Sequence, residues 1–334
     1  MKYAFILSSP AISPKGGVKV QAEMWRDGLR NLGHQVDMVT NWGGVNWQEY
    51  DAMIVFGFSQ GTRNYISGLA KENPNIVIAP IIDPNTSDRV YKFYCKWWGS
   101  HKYLRLSSRF HDLWLIRKLP KLWLVRSEEE RHYVNYCLEI PNERIVKVPL
   151  HYRIPSIVEF PKKEMFCFHA SRLKAPNKNV CRIVEAAKKY GFQLKLAGHL
   201  MGENELAWMH NLIGDAKNIE YVGEVGEEEL QSLYKRAKVF ALPSLQEGVG
   251  MVALEAAAYG CEIVLTNHGA PKEYYNGQAI LVAPKSVDEI GQGIMKAMKE
   301  GFAQPKLKSY IEQYYSERPC MQLLNEKVEK AVVE

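Results

Sequence analysis

The sequence is poor in residues that staple, ligate or span. Only six cysteines occur in 334 residues, at 95, 137, 167, 181, 261 and 320, and none forms a C-x-x-C pair. A disulfide scaffold and a zinc site of that spacing are therefore not indicated, and a reducing cytoplasm is the default expectation. There is no D-x-D, no H-E-x-x-H and no clustered His/Cys, so no metal site is expected. No G-x-G-x-x-G and no G-x-x-x-x-G-K-[ST] occurs either, which removes dinucleotide-dependent dehydrogenase and P-loop readings. No apolar run approaches the ~18–20 residues of a membrane-spanning helix. The longest candidates, such as Ile76–Ile82, are strand-sized. The apolar start, Met1–Leu7, is too short for a signal peptide and reads as a first strand.

What remains is ordinary globular composition, 46% hydrophobic and 24% charged, which excludes wholesale disorder. Single cores stop growing near ~250–300 residues, so 334 residues favour two domains. The formal charge of +6 is unevenly placed. Ten Lys/Arg against Asp88 and Asp112 give residues 86–126 a charge of +8, leaving the rest slightly acidic at −2.

Short apolar runs alternate with helix-period segments from end to end. Strands are expected at Tyr3–Leu7, Gln35–Thr40, Met53–Phe56, Ile76–Ile82 and Leu122–Val125, then at Met165–His169, Gln193–Ala197, Ile219–Val222, Val239–Leu242 and Glu262–Leu265. Helical stripes lie between them, for example Val20, Met24, Trp25, Leu29 and Leu32, or Leu230, Leu233, Tyr234 and Ala237. This alternation implies α/β architecture with parallel sheets and right-handed crossovers, here two Rossmann-like doubly wound domains. Pro149, Pro155 and Pro161 break the pattern between Val148 and Lys163, which reads as the connection. The expected division is 1–155, 156–310 and a helical C-terminal segment, 311–334, that packs on either half.

The most informative segment is Pro243–Ala257. A strand ends at Leu242, a loop with Gly248 and Gly250 follows, and a helix begins near Met251. Helix N–H groups at the carboxyl edge of a parallel sheet bind anions. Glu247 and Glu255 lie eight positions apart, and a carboxylate accepts two hydroxyl hydrogen bonds, so the pair suits a sugar nucleotide. On spacing alone, Glu247 as a helix-terminal carboxylate with Glu255 as a solvent-facing residue is the favoured reading.

The segment resembles the P-S-x-x-E-G-F-G-x-x-x-L-E-A-x-A-x-G element of glycosyltransferase family 4 (glycosyl transferases group 1), retaining enzymes of the GT-B fold. Val249 stands in place of the usual aromatic. Ala170-Ser171-Arg172-Leu173 with Lys178-Asn179 is similar to the family's G-R-L…K-G element. Residues 218–223 followed by Glu229, Leu230, Tyr234 and Ala237, the loop Gly269–Glu273, and Pro14-Lys15-Gly16-Gly17 with Gly33-His34-Gln35-Val36 extend the likeness in order along the chain. The resemblance implies a two-domain glycosyltransferase with the donor mainly on the C-terminal half, facing the acceptor across a cleft. It implies that Arg172 and Lys178 hold the donor diphosphate and stabilise the leaving group, and that Glu247 contacts the donor sugar. Glu255 would bind the ribose. Gly16, Gly17, Gly248, Val249, Gly250 and Met251 would line the nucleotide. No cofactor is implied beyond the nucleotide-sugar, a UDP-sugar in preference to a GDP-sugar. Departures are Asn179 for the usual glycine, a longer Arg172–Lys178 loop, and no histidine after the fourth strand. Asp83 is the candidate for that last place, beside a plainer reading as a turn residue before Pro84.

The basic stretch is also aromatic. In Val90–Trp98 the residues Val90, Phe93, Tyr94 and Trp97 fall at helical spacing, with Arg89, Lys92 and Lys96 offset. Together with Trp98, Lys102 and Arg105 they suit the headgroup region of an anionic membrane or an acceptor. A groove for nucleic acid and a plain aromatic core under solvated cations are the competing readings. The preferred expectation is a cytoplasmic, peripheral-membrane enzyme that transfers a sugar to a lipid-linked or cell-surface glycan. Transfer onto nucleic acid and a non-catalytic sugar-nucleotide binder are the alternatives.

Overall fold

The structure is a computed structural model and describes residues 1–7, 17–40, 43–84, 86–98, 108–153, 157 and 159–333. It divides into two compact units, one made of Met1–Leu150 with Glu317–Glu334 and the other of His151–Ser316. The proline-marked connection and the helical C-terminal segment in the sequence place these limits at 155/156 and 310/311 instead.

The first unit runs β1 (Lys2–Leu7), α1 (Gly17–Asn31), β2 (Gln35–Val39), β3 (Ala52–Phe56), α2 (Thr62–Glu72), β4 (Ile76–Ala79), α3 (Asp88–Lys96), α4 (Arg109–Ile116), β5 (Leu122–Val125), α5 (Glu128–Leu138) and β6 (Ile145–Lys147). Its six strands lie in the order β2-β1-β3-β4-β5-β6, all parallel. Helices cover both faces, so β3, β4 and β5 are buried along their whole length and read as unbroken apolar runs.

The second unit runs β7 (Glu164–Ala170), α6 (Val180–Tyr190), β8 (Leu194–Ala197), α7 (Gly202–Ile213), β9 (Ile219–Gly223), α8 (Glu227–Arg236), β10 (Ala237–Leu242), α9 (Met251–Ala258), β11 (Glu262–Thr266), β12 (Ile280–Val282), α10 (Val287–Glu300) and α11 (Lys306–Tyr315). The strand order is β12-β11-β10-β7-β8-β9, again parallel throughout. Each unit has its own hydrophobic core. The last helix, α12 (Glu317–Val333), returns to the first unit. It packs on α1, where a Cβ on Gly28 would come within 2.5 Å of Met321 Cγ, and Tyr3 donates its hydroxyl to Asn325 at 2.7 Å.

Two local expectations change. The strand expected over Ile76–Ile82 stops at Ala79. Pro80 cannot donate to the ladder, Ile81 has φ 56°, and the Ile82 amide is taken by the Glu130 carboxylate at 2.6 Å. Ala237, placed on a helical stripe, opens β10 instead, because α8 ends at Arg236.

Candidate functional site

In the second unit, two loops at the carboxyl edge of the sheet are tied together. One follows β7 (171–179) and the other follows β10 (243–250). The Leu245 amide donates to the Asn177 carbonyl at 2.8 Å, and the Asn177 side-chain amide donates to the Gln246 carbonyl at 3.2 Å. Asn179, buried, donates to the carbonyls of Pro243 (2.8 Å) and Pro284 (2.6 Å). Its φ is 62°, in the left-handed region where glycine is free and asparagine is tolerated. The substitution of Asn for the family's glycine is thus accommodated, and it adds two hydrogen bonds that glycine cannot make.

This stapling presents Lys178. Its Nζ lies 2.6 Å from Glu247 Oε2, and the same oxygen accepts from the Ser244 hydroxyl at 3.0 Å. Two residues singled out for catalysis, 69 positions apart, therefore meet. Glu247 does not cap α9: the cap is Gly250, at φ 72°, with no side-chain hydrogen bond. A Cβ on Gly250 would meet Leu242, Glu247 and Pro271 at 3.4–3.9 Å in addition to the strained φ. Gly248 is half-buried beside it, Val249 is buried, and Met251 begins the helix. Arg172 projects from the same 171–179 loop, exposed, and its guanidinium has no partner among the described residues.

Glu255 is not solvent-facing. It is 1% exposed, pairs with Arg153 Nε at 2.7 Å, and has the Tyr234 hydroxyl 3.5 Å from its other oxygen. Burial raises its pKa above the ordinary carboxylate value, while Arg153 and the Tyr234 hydroxyl oppose the rise. Arg153 itself is raised, since Glu255 outweighs the cost of its burial. No sequence signal marked Arg153, which stands in the proline-broken connection, or its pairing across 102 positions.

His169, at the end of β7, is fully buried. Nδ1 lies 2.8 Å from the Ala241 carbonyl, so it carries the hydrogen, and Nε2 accepts from the Ser171 hydroxyl at 2.7 Å. Burial, with Lys178 adding to it, lowers its pKa to about 4. Ser171 is therefore left with acceptor capacity only, beside Arg172.

In the first unit, Asp83 is gripped by Arg126 at 2.7 Å, and Arg126 in turn pairs with buried Glu130 at 3.0 Å. Burial works against the Arg126 charge, but Glu130 and then Asp83 more than offset it, and its pKa is raised. Glu130 also accepts from the Arg126 and Ile82 amides, and Ser127 caps α5 through the Glu130 amide at 3.0 Å. Asp83 is thus a held carboxylate just beyond the carboxyl end of β4, more than a turn residue. Gly17 opens α1, and a Cβ there would meet nothing within 4 Å. Gly16, Lys102 and Arg105 lie outside the described residues.

On α3 the buried stripe is Tyr91 and Cys95, not Val90, Phe93 and Trp97. Phe93 (49%), Trp97 (62%) and Trp98 (53%) are exposed with Val90, which removes the aromatic-core reading for these residues. Tyr94 stacks on Phe110 at 5.9 Å. Lys92 and Lys96 are not offered outward: both pair with Glu139, at 3.3 and 3.2 Å, and sit over Tyr136 and Trp114. Arg89 is exposed and makes no side-chain ion pair among the described residues. No helix of the described residues is long and apolar enough to cross a membrane.

Two parallel six-stranded sheets flanked by helices define a class of protein, and solved structures share it. Sucrose-phosphate synthase from Thermosynechococcus elongatus superposes over 98% of both chains with a TM-score of 0.71 at 13% identity. The pneumococcal O-GlcNAc transferase GtfA, solved with UDP and GlcNAc, matches 85% of this chain and 57% of its own with a TM-score of 0.60 at 16% identity. The fold is GT-B. Residues 153–317, nearly the whole second unit, match the family described as "Glycosyl transferases group 1". Among curated relatives, the O-antigen chain mannosyltransferase B of Escherichia coli is 28% identical over 132 residues, 37% of this chain. The match spans only about a third, 35%, of that relative's length.

Proposed function

We propose that the protein is a retaining glycosyltransferase that moves a sugar from a nucleoside diphosphate to a lipid-linked or cell-surface glycan acceptor. The observation that carries this reading is the 2.6 Å contact of Lys178 with Glu247 at the carboxyl edge of the second sheet, beside the start of α9. Arg172 and Lys178 take the donor diphosphate, and the N–H groups opening α9 add to them. Glu247 accepts from a donor-sugar hydroxyl, and Glu255 from the ribose. In the transfer, the bond from the anomeric carbon to the diphosphate oxygen breaks and its electron pair leaves with the diphosphate. The acceptor hydroxyl attacks on the same face, and its proton passes to the departing phosphate oxygen. Fixed cations where that charge develops lower the barrier without reorganisation. UDP is favoured as the carrier because the GtfA relative was solved with UDP.

The acceptor side of the reading draws on α3. Exposed Val90, Phe93, Trp97 and Trp98 beside Arg89 suit insertion at an anionic membrane surface, with aromatics rather than paired lysines as the main anchors.

Thermal-shift measurements with UDP, GDP, ADP and CMP sugar conjugates test the donor assignment. One class is expected to raise the melting temperature by mass action, and Arg172→Ala with Lys178→Ala is expected to abolish both the shift and transfer. No shift with any conjugate, or full turnover by the double variant, sinks the reading.

A further inference from the structure

The contact between Arg153 and Glu255 bears on how a nucleotide enters. The carboxylate is 1% exposed, while the Arg153 side chain lying on it is 41% exposed. The carboxylate is thus a buried anion roofed by a cation that reaches solvent. The Tyr234 hydroxyl, at 3.5 Å, is at the long limit of a hydrogen bond, so Arg153 is the strong partner. A buried carboxylate is costly without a partner, and any ligand that engages it must replace what it displaces. A ribose offers two adjacent hydroxyl donors, enough to satisfy both oxygens of one carboxylate.

The covering group is the ligand's competitor. Arg153 Nε already takes Oε1 at 2.7 Å, so a ribose hydroxyl bound to that oxygen has to displace it. Arg153 stands at the start of the second unit, outside any helix or strand, so its side chain can swing away without unravelling an element.

We propose that Arg153 is a placeholder for the ribose: it satisfies Glu255 in the nucleotide-free protein, and nucleotide binding exchanges that ion pair for the two ribose hydroxyls. The proposal rests on the reading of Glu255 as the ribose acceptor. Arg153 acts through Glu255 and is a positioning residue, not a catalytic one. Its presence weakens nucleotide affinity by the share of molecules in which the carboxylate is already occupied. It also spares the empty site an unpaired buried charge.

Calorimetric titrations with three probes test this: the nucleoside diphosphate selected by the panel above, its 2′-deoxy counterpart, and inorganic pyrophosphate. Arg153→Met keeps the stem and removes the donors. At pH 8 it is expected to tighten the nucleoside diphosphate by about fivefold or more, to tighten the 2′-deoxy form less, and to leave pyrophosphate affinity unchanged. The gain is expected to fade as pH falls, because the unpaired Glu255 then protonates. Arg153→Lys, which keeps a cation, is expected to remain near wild-type, and Arg153→Gln serves if the Met variant does not fold. Unchanged nucleotide affinity in the folded variant overturns the proposal. So does a parallel loss of nucleotide and pyrophosphate, which makes Arg153 a phosphate ligand. Glu255→Gln separates the two levels. If it leaves the ribo-over-deoxy preference intact, the ribose assignment itself fails. If the preference falls while Arg153→Met gives no tightening, only the placeholder fails.

Discussion

Asn179 shows how one side chain can serve a backbone need and a packing need together. Its φ of 62° suits glycine, and its amide ties the 171–179 loop to Pro243 and Pro284. Asn179→Ala loses both, and about 2–4 kcal/mol of stability is expected to go with them in urea unfolding. Asn179→Gly keeps the backbone and loses the bonds, so roughly half that cost is expected. His169 makes a different statement. Its folded pKa, about 4, lies below the unfolded value near ~6.5. The unfolded chain therefore binds the extra proton below that value. The contribution is fully present above pH ~6.5 and is lost as pH falls toward 4, at about 1.4 kcal/mol per pH unit. Urea midpoints between pH 7 and 5 are expected to fall by less in His169→Asn, which has nothing to titrate there. An identical fall in both proteins contradicts the assignment.

At the scale of elements, α3 separates two stripes that the sequence overlaid. The residues Tyr91 and Cys95 face the core, with Tyr91 against Phe110 and Tyr133 at 5.0 and 5.3 Å. Val90, Phe93 and Trp97 face away. Phe93→Glu with Trp97→Glu is therefore expected to change stability by no more than about 0.5 kcal/mol, yet to abolish sedimentation with anionic liposomes at low salt. Tyr91→Ala is expected to cost about 3–5 kcal/mol, as buried aromatics do. Equal damage from both would show that the exposed face is not exposed in solution. The same helix explains why charge counting misled: Lys92 and Lys96 converge on Glu139, a residue outside the basic stretch. Net charge over a window counts cations but not where they point.

For the molecule as a whole, the chain enters the second unit at His151 and leaves it at Ser316, so the first unit is completed by a helix that follows the second unit in the chain. Met321, fully buried in α12, meets α1 at Gly28. Met321→Glu places an unpaired carboxylate there and is expected to cost the first unit about 3 kcal/mol or more. The proposed nucleotide site lies in the second unit, so nucleotide affinity is expected to stay within about twofold. Calorimetric unfolding with parallel nucleotide titrations checks this, and a matching loss of affinity would show that the donor site depends on the first unit.

Much of this was legible beforehand, for definite reasons. Parallel strands covered on both faces must be apolar throughout, so β3, β4, β5 and β10 announced themselves as short runs between helix-period segments. The loop and helix after β10 were legible because strand, glycine turn and helix are consecutive in the chain. The chemistry proposed for 243–257 came from the family resemblance, since spacing alone left Glu247 and Glu255 with plainer readings. The end of β4 was not legible, because a buried Glu130 from α5 claims the Ile82 amide. Nor was Arg153, which no periodicity marks.

The sequence by itself determined the alternating α/β architecture, the family likeness, the acidic residues at the loop and helix after β10, and the basic residues in the loop after β7. These are properties of neighbours along the chain, where backbone geometry and side-chain period decide. Only the tertiary structure decided which charge meets which: Lys178 with Glu247, Arg153 with Glu255, Arg126 with Asp83 and Glu130, Lys92 and Lys96 with Glu139. An ion pair forms wherever folding brings its members together. The residues that share it can lie four positions apart or a hundred and two.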